Sequence, residues 1–254
     1  MNFLLTNDDG IHAPGLAALH EVVSTLGDFV TVAPHEHLSG CSHRVETGSP
    51  LLAESVAENR YSLTGTPADC ARIGLMHLAE DTDWVLSGIN DGGNLGADVN
   101  MSGTVAAVRE AALLGKRGVA FSQYRKSRSE FPWDALVPVA RRVLLILLET
   151  PLHEGAFWNV NFPDVGRETL VQWANADELS LTYCELDPHP LPPLYEDHED
   201  GYIYRGVYGD RDRVTGRDID VCFSGGIAVT QILPPRSLTA DEIEELRNDR
   251  SLRG

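Results

Sequence analysis

Residues 2–15 read "NFLLTNDDGIHAPG". Asn2 to Thr6 have the length and apolar character of a buried strand. Asn7, Asp8, Asp9 and Gly10 follow at once, and then Pro14, a residue suited to the first turn of a helix. From Pro14 to Leu26, Leu16, Leu19, Val23 and Leu26 recur at helical spacing. Strand, polar turn and helix make the first half of a β-α-β unit, which commits the chain to a parallel partner strand further on. The uncommon feature is the turn, where two carboxylates stand side by side at the end of a buried strand.

The alternation continues outward from this stretch. Residues 29–33 (FVTVA), 61–66 (YSLTGT), 83–88 (DWVLSG), 118–122 (GVAFS) and 157–162 (FWNVNF) read as strands. Pro67 to Glu80, Ser102 to Leu114 and Asp134 to Glu149 read as helices, with Gly27 and Gly115 as helix stops. The series predicts an α/β, Rossmann-like three-layer fold: a mostly parallel sheet with helices on both faces, forming the core over residues 1–173 of one 254-residue domain. The rhythm breaks after Gln172. Residues 174–225 read as an irregular segment and a C-terminal antiparallel hairpin arm, the hairpin spanning 202–223. That arm is a candidate for contacts between subunits, or else a plain surface excursion. Residues 226–254 read as a last strand (GIAVTQI) and a polar helix from Thr239.

Composition excludes several classes. The formal net charge is −18, which disfavours a nucleic-acid duplex or an anionic membrane surface as partner. The four cysteines form no C-x-x-C pair, so neither a zinc site nor a redox motif is signalled, and scattered thiols suit a reducing compartment. The N-terminus lacks the pattern of a secretory signal, and the most apolar run, Val143 to Leu148, is too short to span a bilayer. A cytoplasmic protein is the expectation. The first strand is not followed by G-x-G-x-x-G, and no G-x-x-x-x-G-K-[ST] occurs, so two common nucleotide-binding schemes are disfavoured.

Ligands of open parallel sheets bind beyond the carboxyl ends of the strands. The residues at those ends are Asp8-Asp9, then "APHEHLSGCS" (33–42) with Ser39, then "SGINDGGNLG" (87–96) with Asn90 and Asn94, then Ser102-Gly103-Thr104 opening a helix. Each has a plain alternative. Asp9-Gly10 is a common turn dipeptide, although a helix pattern follows it; paired carboxylates also suit a hard divalent cation. The Gly/Asn stretch is either a flexible loop or a backbone surface that an anion can approach. Ser102 is either an ordinary helix cap or part of a phosphate site at a helix N-terminus. His35, His37 and His43 hint weakly at zinc and read better as solvated loop residues. His12, just past the acidic pair, is a weaker candidate for substrate contact.

Taken together, "LLTNDDGIHAPG" (4–15), "VAPHEHLSG" (32–40), "GTPADC" (65–70), "SGINDGGNLGADVNMSGTVAAVREA" (87–111) and "NVNFP" (159–163) resemble the SurE (survival protein E) family over about two-thirds of the chain. Members are metal-dependent acid phosphatases acting on nucleoside 5'- and 3'-monophosphates. The resemblance implies one divalent cation per subunit, Mg2+ or Mn2+, held by Asp8, Asp9, Ser39 and Asn90. It implies that Asn94, Ser102, Gly103 and Thr104 hold the substrate phosphate. It further implies a metal-activated water that Asp8 or Asp9 orients or deprotonates, and a homodimer or homotetramer. This sequence departs from the family pattern at His35, Leu38 and Met101, and its last strand matches loosely. A metal-dependent nucleoside N-glycosidase and a non-catalytic nucleotide-binding protein are the competing functions.

Overall fold

In chain order, the strands are β1 (Asn2–Thr6), β2 (Asp28–Pro34), β3 (Ala53–Ala57), β4 (Arg60–Leu63), β5 (Trp84–Asp91), β6 (Arg117–Gln123), β7 (Phe157–Phe162), β8 (Thr182–Tyr183), β9 (Tyr195–His198), β10 (Gly201–Tyr204) and β11 (Ala228–Ile232). The helices are α1 (Pro14–Val23), α2 (Pro67–Ile73), α3 (Gly103–Leu113), α4 (Trp133–Glu149), α5 (Arg167–Asn175) and α6 (Asp218–Phe223). The structure, a computed structural model, describes residues 1–127, 130–234 and 244. The helix expected from Thr239 lies outside the described residues except at Glu244, which is helical.

Nine strands form one sheet in the order β3-β4-β2-β1-β5-β6-β7-β11-β8. The six from β4 to β7 run parallel. β3 is antiparallel at one edge, and β11 is antiparallel to β7 near the other. β1 decides this layout. Phe3 and Leu5 project into one apolar layer with Leu16, Leu19, Leu136 and Val143, while Leu4 projects into a second with Cys70, Val105 and Val108. Alternation along one strand thus feeds two cores, which is why both faces of the sheet must carry helices. The chain first moves outward from β1 to β2 and β4, then returns to lay β5 on the other side of β1. The order therefore reverses between β1 and β5. The loops leaving these neighbours diverge there and open a crevice at their carboxyl ends.

Several expected boundaries shift. α1 ends at Val23 with Ser24 as its cap, and Gly27 instead packs where a Cβ would stand 2.0 Å from the Met1 carbonyl oxygen. α2 ends at Ile73 and passes into a wider turn over Gly74–Leu78, so it does not run to Glu80. The hairpin is formed by β9 and β10, upstream of the expected 202–223. Residues 218–223 are helical because Ile219 and Cys222, three apart, both face a small core with Leu95, Tyr124 and Ala228. β3, β8 and α5 were not anticipated. The five residues of β3 are all exposed and the two of β8 likewise, so neither shows the alternation that marks a half-buried strand.

Gly15 sets how closely α1 approaches the sheet. A Cβ there would stand 1.8 Å from the carbonyl oxygen of Ile89 in β5, and backbone cannot yield as a flexible side chain can. Gly15→Ala is expected to force α1 off β5 and cost about 3 kcal/mol, read as a lower urea midpoint with an unchanged slope. Wild-type stability in that variant would contradict the packing described.

Candidate active site

The turn after β1 is shaped by Asn7. Its amide donates to the Gly10 carbonyl at 2.9 Å and its Oδ1 accepts from the Gly10 N–H at 3.2 Å. Gly10 has φ +98°, a left-handed conformation that glycine adopts without steric cost. This is a strand-to-helix turn, not a hairpin, and it presents Asp8 and Asp9 at the crevice between β1 and β5.

Asp8 is buried, with 3% of its surface exposed. Its Oδ1 accepts from the Thr104 hydroxyl at 2.5 Å. A Cβ on Gly103 would lie 2.8 Å from the Asp8 Cβ, so only glycine lets α3 begin against this carboxylate. Burial, and then the neighbouring Asp9, push the Asp8 carboxyl up to about 6 despite the Thr104 bond. Asp9 is also raised, chiefly by burial. Its Oδ2 accepts from the Asp91 N–H at 3.2 Å, and its Oδ1 lies 3.2 Å from Nδ1 of His37. The pair is therefore held close together with its charge undercompensated.

The remaining expected residues arrange around these two. The Leu38 N–H donates to the Asp8 carbonyl at 2.8 Å and the Cys41 N–H to the Leu38 carbonyl, so Ser39 sits in an exposed turn pinned beside Asp8. Ser42 ties the same loop to the start of α3 through the carbonyls of Asn100 and Met101. Asn90, 9% exposed, is next to Asp91 at the end of β5, and its amide donates to the Gly92 carbonyl. Ser102 caps α3, its Oγ accepting from the Val105 N–H at 3.1 Å. The first amides of a helix have no partner within it, so Gly103 and Thr104 lead an anion-attracting terminus beside Asp8. Asn94 differs from its neighbours. Its N–H donates to Asn161 Oδ1, its amide to Ser122 Oγ, and its carbonyl accepts from both Asn159 and Asn161. The side chain is thus engaged with the sheet.

Sequence reasoning missed Asp91 and Arg125, and read His37 as a solvated loop residue. Asp91, His37 and Arg125 line a cavity of about 630 Å3 together with Asp9, Gly15 and Lys126. The Arg125 guanidinium pairs with Asp91 at 2.7 Å. Asp91 was visible as the acid in "NDGG", and His37 as the second member of H-x-H. His43 was read as solvated but is hydrogen-bonded to the buried Glu110 at 2.6 Å, so its loop is fastened to α3. Asn159 and Asn161 were visible in "NVNFP", two asparagines on a buried strand.

These residues fit a hard divalent cation. One buried and one half-buried carboxylate, both undercompensated, favour positive charge, and hydroxyl and amide side chains stand nearby in the same loops. Among the described residues no group of three or more His, Cys, Asp and Glu is placed to hold a metal ion. A cation here would draw on Asp8 and Asp9 and on neutral oxygens such as those of Ser39 and Asn90.

Comparison with known proteins identifies the family. Residues 3–183 match the family model described as Survival protein SurE. A provisionally named 5'-nucleotidase of Nostoc sp. (strain PCC 7120) is 46% identical over 232 residues, covering 91% of this chain and 99% of that protein. The 5'-nucleotidase SurE of Methylobacterium radiotolerans is 44% identical over 169 residues, 65% of this chain and 66% of that one. The crystal structure of the SurE protein from Aquifex aeolicus superposes over the whole of both chains with a TM-score of 0.79 at 28% identity. With its acidic pair set against the start of α3 at the switch point of a nine-stranded sheet, and with the family model covering most of its length, the chain belongs to the SurE family.

Proposed function

We propose that this chain is a metal-dependent phosphomonoesterase that hydrolyses nucleoside 5'-monophosphates, and 3'-monophosphates as a secondary class, to nucleoside and phosphate. The observation that carries the reading is the contact between Asp8 Oδ1 and Thr104 Oγ1. It supports the reading because it sets a carboxylate suited to a cation and a helix terminus suited to an anion within one hydrogen bond of each other, as a phosphate ester bound through a metal requires.

Asp8 and Asp9, with Ser39 and Asn90, hold one divalent cation, Mg2+ or Mn2+. When bound, such a cation polarises a phosphoryl oxygen and lowers the pKa of a bound water. Thr104 keeps Asp8 in one orientation by donating to Oδ1, so Oδ2 would be the oxygen left to hold the cation. Asp9 lines the 630 Å3 cavity, whereas Asp8 is walled in by Gly103. Asp9 is therefore the better placed carboxylate to accept the proton of the attacking water, with His37 beside its Oδ1. The N–H groups of Gly103 and Thr104 and the hydroxyl of Ser102 offer donors to the phosphoryl oxygens, where charge shifts in the transition state, while the Thr104 hydroxyl stays on Asp8. Asn94 contributes by holding its loop to β6 and β7 at the same edge.

The rest of the molecule is consistent with this reading. Cys41, Cys70, Cys184 and Cys222 are free thiols, as a cytoplasmic protein would keep them. No helix among the described residues is long and apolar enough to cross a membrane. The β9–β10 hairpin exposes Tyr195 and Tyr202, which suits a contact between subunits in a homodimer or homotetramer.

With AMP as substrate, inorganic phosphate and adenosine are the expected products; free adenine would instead indicate N-glycosidase chemistry, and binding without turnover a nucleotide-binding protein.

Asp8→Asn is expected to reduce phosphate release at least 100-fold while stabilising the metal-free chain. The folded carboxyl, at about 6, lies above its unfolded value of 3.8. Between roughly pH 4 and 6 the folded state binds more protons, so wild-type stability falls as pH rises through that window. In chelator at pH 7 the variant should gain on the order of 3 kcal/mol, and near pH 4 almost nothing. A variant less stable than wild type at pH 7 would contradict the electrostatic account.

Ser102→Ala is expected to cost about 1 kcal/mol of stability through the lost cap and to raise both KM and the inhibition constant for phosphate. Unchanged kinetics with lowered stability would reduce Ser102 to a helix cap.

A further inference from the structure

Segment 93–102 joins β5 to α3 and carries Asn94 and Ser102, yet little regular structure supports it beyond one tight turn over Gly96–Asn100. Besides the bonds of Asn94 to β6 and β7, of Ser42 to Asn100 and Met101, and of Arg109 to Val99, a further set of supports comes from residues more than 80 positions away in sequence. Tyr208 donates its hydroxyl to the Gly93 carbonyl at 3.2 Å. Leu95 packs with Ile219 and Cys222. The Gly96 N–H donates to Asp218 Oδ2 at 2.7 Å, and the other oxygen of that carboxylate accepts from the Asp187 N–H at 2.7 Å. Gly96 has φ +54°, and a Cβ there would meet the Asp187 carbonyl oxygen at 2.9 Å and Ile219 at 3.0 Å, so the two segments are in direct contact. Asp187 in turn accepts from the N–H groups of His189 and Val214, which folds the excursion around the contact.

The last of these supports carries charge. Arg211, whose side chain is fully buried, donates through Nη1 to Asp98 Oδ2 at 2.5 Å and through Nη2 to the His189 carbonyl. The carbonyl of Asp98 accepts the N–H of Met101 at 2.9 Å and that of Ser102 at 3.1 Å. One residue thus connects Arg211 to the cap of α3. A buried guanidinium costs too much desolvation to serve as casual surface decoration, and its planar fork fixes Asp98 and the His189 carbonyl relative to each other. The Asp98–Arg211 pair is also incompletely satisfied: Asp98 Oδ1 and Arg211 Nε have no hydrogen-bond partner among the described residues. Such a pair is a poor source of net stability and a good source of a unique geometry.

We propose that Arg211 is a positioning residue for phosphate. Through Asp98 it fixes the turn from which Ser102, Gly103 and Thr104 present their donors, and with Tyr208 and Asp218 it makes residues 187–218 part of the active-site scaffold. The excursion is then more than a surface arm, because the phosphate side of the site is held from this segment while the acidic side is held by β1 and the loop after β2. The inference rests on the phosphate reading of the α3 N-terminus.

The test separates geometry from stability. Arg211→Met is compared with Asp98→Met/Arg211→Met, in which apolar side chains replace the buried pair and thereby remove its desolvation cost. For each, KM and kcat with AMP, the inhibition constant of inorganic phosphate and the dissociation constant of Mn2+ alone are measured, together with the thermal midpoint. Arg211→Met is expected to raise KM and the phosphate constant about tenfold, leaving Mn2+ affinity within twofold. The double variant should recover thermal stability but not phosphate affinity. Recovery of both, or wild-type phosphate affinity in folded Arg211→Met, would overturn the proposal and leave a purely structural ion pair. Should Arg211→Met not fold, Tyr208→Phe removes only the hydroxyl on Gly93. It should raise the phosphate constant severalfold at unchanged Mn2+ affinity, and a wild-type constant there overturns the proposal equally. If the wild-type protein itself neither binds phosphate nor releases it from AMP, the underlying reading fails instead, which these arms distinguish.

Discussion

The carboxylate of Asp8 is buried at the point where the strand order reverses, against the first residue of α3. The rest of the site depends on that placement. Removing a carboxylate from water raises the free energy of its charged form, and a second carboxylate on the next residue adds repulsion. The fold relieves this only in part, with His37 beside Asp9. It supplies one hydroxyl from Thr104 and two backbone anchors nearby, at Leu38 and Asp91. Electrostatic dissatisfaction of this kind is characteristic of sites whose final partner is not part of the chain. A divalent cation would meet it, and the helix terminus alongside would meet the opposite charge on a phosphate.

The architecture follows from simple constraints on β1. A five-residue strand with apolar side chains on both faces needs cover on both, and a proline-led helix after a tight turn supplies the first layer. The β-α rhythm, the approximate place of most core strands and the convergence of four polar loops were legible in the sequence for that reason: burial on two faces leaves continuous apolar runs, and strand ends leave polar ones. Asp8, Asp9 and the Ser102–Thr104 turn stood out in the sequence because, although each alone has a plain explanation as a turn or a cap, all lie at strand or helix ends on one predicted edge of the sheet. The exposed β3 and β8 were not, since an edge strand with no buried face leaves no periodicity to read.

The excursion after β7 was the least legible part, and the reason is instructive. Its important contacts are not apolar stripes but single carboxylates, Asp187 and Asp218, each accepting several backbone N–H groups across the fold. In sequence these residues look like any others in a chain of net charge −18. "RDIDVCF" resembled a strand because its apolar residues are β-branched or aromatic, yet Ile219 and Cys222 are spaced for a helix and bury that way. Tertiary partners, chiefly Leu95 and Tyr124, decide between the two. Asp91 and Arg125 were missed, and His37 read as solvated, on similar grounds: each becomes notable only once β1, β2, β5 and β6 bring their ends together around one cavity.

The account reduces to a claim about what completes the acidic pair. Phosphate release from a nucleoside 5'-monophosphate, followed while chelator is titrated in and Mg2+ or Mn2+ is then restored, addresses it directly. Activity should disappear with chelator and return with the added cation, and the protein should remain folded throughout. Activity that persists unchanged in excess chelator would contradict the assignment of Asp8 and Asp9 as metal ligands and with it the proposed reaction.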